Sequence, residues 1–121
     1  MQAIELLADF VERYKSDDKP ICHNEWLNGD DMSVYVRRSV PRILNDGEKY
    51  VTLDIASINV YQQSQGHFTA FLAEAEKLNP WPAIYVENVL QPRFEKFFKK
   101  KGYTQAKIYP ASFYKMKGAN A

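Results

Sequence analysis

The feature that most constrains this chain is a change of period at Val60. Tyr50–Val60 reads as a long extended strand. From Ser64 to Leu78 the apolar residues Phe68, Phe71, Leu72 and Ala75 instead fall on one face of a helix. Asn79-Pro80-Trp81-Pro82 stops that helix, and a short apolar strand, Ala83–Val86, follows. Strand, helix and strand in such quick succession require a helix lying over a sheet. The fold class is therefore read as α/β, in the α+β sense, with one central mixed sheet flanked by helices.

The flanking segments fit that frame. Residues 2–15 place Ile4, Leu7, Ala8, Val11 and Tyr14 at helical spacing, and Ser16-Asp17-Asp18-Lys19-Pro20 ends the pattern. Ile21–Asp31 shows no clear period and closes on a turn at Asn28-Gly29-Asp30. Two β-type runs, Met32–Ser39 and Val40–Leu44, come next, and Asn45-Asp46-Gly47 reads as a hairpin turn before the long strand. Gln91-Pro92 opens a last helix that carries Phe94, Phe97 and Phe98 inward and ends at Lys99-Lys100-Lys101-Gly102. Tyr103–Tyr109 and Ala111–Lys117 alternate like two final strands around Pro110.

With 121 residues, 45% of them hydrophobic, residues 1–121 form one domain with one core. Acidic and basic residues nearly cancel, 15 against 16, which argues against wholesale nucleic-acid binding. The last quarter is cationic all the same: from Gln91 onward there are eight basic residues and one acidic, Glu95. Cys22 is the single cysteine, so no internal disulfide can form. With two histidines it cannot complete a four-ligand zinc site from Cys and His alone, so no metal is expected. Cys22 itself reads as a small structural residue. No run approaches the ~20 apolar residues of a membrane helix, and the cytoplasm is the expected location.

The loop after Val60 carries the functional signal. A strand that ends in a short polar loop with a glycine and feeds a helix aims unpaired N–H groups at one point, where a pyrophosphate can dock. The loop reads Gln63-Ser64-Gln65-Gly66-His67-Phe68. It resembles the signature of the GNAT acetyltransferase superfamily: Gln or Arg, two residues, Gly, one residue, then Gly or Ala. Gln63 and Gly66 match, and Phe68 departs. A second block is similar to the same family in its spacing. The strand Ala83–Val86 is followed by Gln91 where the family has an asparagine, Phe98 where it has a tyrosine, and the Gly102-Tyr103 pair. The stretch from Tyr85 to Phe94 also looks like small GNAT-like proteins of bacteriophages. The resemblance covers about Tyr50–Tyr103, nearly half of the chain.

That resemblance implies an acyl-CoA-dependent N-acyltransferase, with acetyl-CoA as co-substrate. The long strand and Ala83–Val86 would run parallel and splay into a slot for the pantetheine arm. Ile58, Asn59 and Val60 would offer it backbone groups, and Gln65, Gly66, His67 and Phe68 in the Gln63–Phe68 loop, Ser64 included, would hold the pyrophosphate. Gln91 would reach it from the other side, and the lysines at 99–101 would attract the ribose phosphate or simply end a solvated helix. His67, in the first helical turn, is either a phosphate contact or an exposed side chain.

The family's chemistry is direct attack of an amine on the thioester, with a base on the central strands and an acid for the thiolate. Asp54 and Glu87 are the carboxylates available. Asp54 is expected to share a strand face with Thr52, Ala56 and Ile58, either as base or as a solvent-facing or arginine-paired group, with Arg37 or Arg38 as partner. Phe98 cannot donate a proton. Tyr103 or Tyr114 then serves as acid, or the thiolate leaves unprotonated. The acceptor is left open among a small molecule, a protein lysine and a modified nucleobase, and a homodimer is allowed. Two other functions remain: a non-catalytic interaction protein on the same fold, such as a phage factor docking on a host protein, and nucleic-acid binding through the C-terminal lysines with Tyr103, Tyr109 and Tyr114.

Overall fold

The structure is a computed structural model in which residues 1–61 and 66–118 are described. The first helix, α1, spans Ala3–Tyr14 and buries Ala3, Leu7, Phe10 and Val11. Its start is fixed from a distance: the Asp31 carboxylate accepts the Ala3 N–H at 2.9 Å, and Glu5 accepts the Gln2 N–H at 2.9 Å. Asp31 can approach because Gly29 has no side chain. A Cβ there would lie 2.3 Å from the Ala3 nitrogen.

The segment without a clear period contains a strand, β1, His23–Asn28, antiparallel to β2, Met32–Arg38. The period of Ile21–Asp31 gave no sign of this strand. The strand is half polar because it is the sheet edge; Leu27 is buried in the core while Trp26, on the other face, is 50% exposed.

Two further boundaries move. The run Val40–Leu44 contributes only β3, Arg42–Ile43, and the long strand gives up its first residue, Tyr50, to β4, Lys49–Tyr50. These two form a separate hairpin around Asn45-Asp46-Gly47, with Gly47 at φ 82°. The long strand proper is β5, Thr52–Val60. It pairs antiparallel with β2 and parallel with β6, Ala83–Val86. The connecting helix α2 spans His67–Leu78, and α3 spans Pro92–Lys100 with proline in its first turn. The two C-terminal strands are shorter than expected: β7, Thr104–Gln105, and β8, Phe113–Met116.

The result is a mixed six-stranded sheet, order β1-β2-β5-β6-β8-β7, with only the β5–β6 pair parallel. Side chains from all three helices enter one core against one sheet face, with Leu53, Ile55, Ile84 and Phe113. The opposite face carries a smaller cluster of Leu44, Ala83, Tyr85, Ala106 and Tyr114, roofed by the β3–β4 hairpin. Asn45 ties that hairpin down by donating to the Gln105 carbonyl at 2.9 Å and accepting the Lys107 N–H at 2.9 Å. Among the described residues no helix is long and apolar enough to cross a membrane.

Candidate functional site

The site begins with an irregularity in β5. Across the β2–β5 ladder Tyr35 faces Ser57 and Val36 faces Ile55, so Ala56 is an extra residue with no partner of its own. The bulge changes which residues face the core. Leu53 and Ile55 pack inward before it, and Ile58 and Val60 after it, so Ile58 does not share Asp54's face as expected from simple alternation. Ser57 is exposed instead.

At the same point β5 and β6 part. Their parallel register runs only from Thr52–Ala83 to Ile55–Val86, and the Glu87 N–H then donates to the Ile55 carbonyl at 3.0 Å. Asn88 ends the pairing. Its backbone is left-handed at φ 61°, a conformation asparagine tolerates better than most residues, and its side-chain amide donates to the Ala56 carbonyl at 3.2 Å. Beyond Ile55 no described strand pairs with β5 on that side, so residues 57–60 present an open edge.

A cleft of about 810 Å³ fills the gap. Ile58 and Val60 line one wall, Val89 and Gln91 the other, and Gly66 with Phe68 at the start of α2 close one end. Gly66 is the residue before the helix and sits at φ 67°, which suits a glycine. Of the residues expected to hold a CoA-like ligand, the structure thus brings Ile58, Val60, Gly66, Phe68 and Gln91 to one cleft. Asn59 points away from it, on the exposed side of β5. His67 stands beside the cleft, with a buried Nδ1 that has no hydrogen-bond partner among the described residues. Gln63, Ser64 and Gln65 lie outside the described residues. The inner end of the cleft is aromatic, with Phe68 6.1 Å from both Phe97 and Phe98. Of the three phenylalanines expected inward on α3 only Phe98 is fully buried; Phe94 is 37% exposed at the cleft wall.

A second cavity, about 690 Å³, opens on the other sheet face beneath the β3–β4 hairpin. Its floor is ionic. Asp54 is fully buried and accepts from Arg42 Nη2 at 2.5 Å and from the Thr52 hydroxyl at 2.5 Å, with Arg37 Nε 3.3 Å away. Arg37 Nη2 reaches Glu87, and Arg42 lies 3.8 Å from the same carboxylate. The Arg42 guanidinium also stacks 4.0 Å over the Tyr85 ring. Burial raises the Asp54 pKa to about 6, against the opposing pull of Arg42, Thr52 and Arg37. Arg38, the alternative partner, is elsewhere: it is buried and donates to the carbonyls of Asp17, Lys19 and Ile21. Cys22 is exposed at the cavity wall.

Asp54 and Glu87 therefore share one cluster, and Glu87 with Asn88 lines both cavities. Tyr103 does not join them. It sits in the helix-side core 5.1 Å from Phe98, donates to Glu76 at 2.8 Å, and has its pKa raised by burial and by that carboxylate. Tyr114 lies on the Asp54 face, stacked on Tyr85 at 6.4 Å. The sequence reading missed Arg42, Asn88 and the bulge. The bulge does leave a trace, since the core-facing apolar residues of β5 switch from odd positions, 53 and 55, to even ones, 58 and 60.

Comparison with known protein families, characterised proteins and solved structures returned no significant match.

Proposed function

We propose that this chain has a GNAT-type fold and is an acyl-CoA-dependent N-acyltransferase, with acetyl-CoA held between β5 and β6. One observation carries this reading: two parallel strands that separate at a bulge and leave a strand edge open toward a cleft ending at a helix N-terminus. The open edge of β5 offers backbone N–H and C=O groups to an amide-bearing pantetheine arm. The start of α2, with Gly66 leaving room for close approach, suits a diphosphate. The reducing cytoplasm, where acetyl-CoA is made and used, is the compartment this function calls for.

The amine nitrogen attacks the thioester carbonyl, the C–S bond breaks and the CoA thiolate leaves. The proton shed by nitrogen passes to Glu87 in the wall of both cavities, backed by Asp54, which is mostly ionised at neutral pH. With Phe98 at the position of the family's tyrosine, the thiolate leaves without a tyrosine proton, as its modest basicity allows.

A second reading, a non-catalytic binding module on the same fold, is favoured by the pairing of both carboxylates with Arg37 and Arg42. The two separate in an assay that follows thiol release and acetylated product across a panel of amines. The enzyme reading expects turnover, reduced roughly 100-fold in Glu87→Gln. Acetyl-CoA binding without thiol release from any amine supports the binding module. Absence of acetyl-CoA binding overturns the enzyme reading.

A further inference from the structure

We propose that the cavity beneath the β3–β4 hairpin takes a small zwitterion, an α-amino acid with an apolar side chain, and that on the acyltransferase reading above this is the amine that is acylated. Three features of the cavity lead there.

The floor is charge-balanced. Arg37 and Arg42 face Asp54 and Glu87, so a ligand carrying a net charge would leave one floor charge overcompensated in a partly dry site. A zwitterion adds no net charge. The floor also sorts the two ends of such a ligand. Each arginine uses Nη2 on a carboxylate, leaving Nη1 without a hydrogen-bond partner among the described residues, and the two side chains are 26% and 23% exposed in the cavity. Two free Nη1 groups suit a carboxylate. The amine then belongs at Glu87, which also lines the cleft between β5 and β6. On this proposal a nitrogen held there is carried by a carboxylate that borders both cavities.

The mouth of the cavity is apolar although it faces solvent. Val40, Ile108 and Tyr109 line it and are 45%, 59% and 63% exposed. Such a rim covers an aliphatic or aromatic substituent while the charged end occupies the floor. A peptide N-terminus offers the amine without the neighbouring carboxylate, and a fatty acid offers the reverse.

The test needs no coenzyme. The full chain is titrated with L-leucine, L-leucinamide and 4-methylpentanoate by calorimetry and by NMR of the arginine side chains. Leucine is expected to saturate with a Kd of about 1 mM or tighter, as enzyme substrates commonly do, and to shift the Arg37 and Arg42 resonances. Both analogues are expected to bind at least tenfold more weakly. Tyr109→Ser, at an exposed rim position, is expected to weaken leucine several-fold with an unchanged melting temperature. Arg42→Lys, which keeps the charge beside Asp54, is expected to lose the preference for leucine over leucinamide. No saturable leucine binding overturns the proposal, and so does leucinamide or 4-methylpentanoate binding as tightly as leucine. Because acetyl-CoA is absent, a failure of the coenzyme reading leaves these results intact. Acetyl-CoA binding without leucine binding sinks this proposal alone.

Discussion

A carboxylate with no solvent exposure is unfavourable in its charged form unless its partners compensate, and at Asp54 they compensate only in part. Its pKa rises from 3.8 to about 6 on folding. Between those values the folded protein holds a proton that the unfolded chain has released. The group's stabilising contribution is therefore complete below about pH 4 and is lost as pH rises through about 6. Asp17 and Asp46 have lowered pKa values and act in the opposite sense, losing their contribution as pH falls, so the variant must be compared with the parent at each pH. Asp54→Asn mimics the protonated form. Urea denaturation at pH 4 and pH 7 is expected to show that it removes part of the fall in stability over that interval. At pH 7 it should cost less than about 2 kcal/mol, against roughly 3–5 kcal/mol for removing one partner of a fully buried ion pair. A loss in the higher range, unchanged with pH, would mean that the arginines rather than burial dominate this site.

At the scale of elements, two glycines hold the frame for different reasons, and substitution separates them. Gly29→Ala puts a methyl group 2.3 Å from the Ala3 nitrogen and 2.8 Å from its Cα, forcing α1 away from the β1–β2 turn. Gly66→Ala meets nothing within 4 Å and is strained only by its φ of 67°. In denaturant titrations the first is expected to cost about 1–3 kcal/mol and the second about 1–2 kcal/mol, and only the first should disturb NMR signals across the start of α1. The sequence made the β5–α2–β6 unit legible because its period changes from two to 3.6 and back within one stretch. It hid β1, since His23-Asn24-Glu25-Trp26-Leu27-Asn28 has only one side chain buried in the core and takes its conformation from β2. The candidate site was half legible for a related reason. Gly66, Ile58, Val60 and Gln91 are local to a strand end or a helix start. The ionic floor depends on register: Arg37 meets Asp54 because β2 and β5 pair with those residues opposite, and Arg42 arrives only because β3 and β4 turn back over the sheet. Arg37 could be named beforehand as one of two candidate partners of Asp54, but no local pattern encodes the arrival of Arg42.

At the scale of the molecule, the sheet separates two cavities whose walls share Glu87 and Asn88. One runs along the open edge of β5; the other has a charged floor and an apolar mouth. The bulge at Ala56 and the left-handed turn at Asn88 border the first cavity, and Asn88 borders the second as well. Whether the first cavity is a coenzyme site is tested most directly by titrating isotope-labelled protein with acetyl-CoA. Saturable chemical-shift changes are predicted at residues 57–60, 66–69 and 88–91. A rise in thermal stability should accompany them, worth about 2.7 kcal/mol when the ligand is at 100 times its Kd. No saturation at about 1 mM acetyl-CoA, a concentration at the upper end of usual substrate affinities, would contradict the assignment, as would shifts confined to α1 and β1.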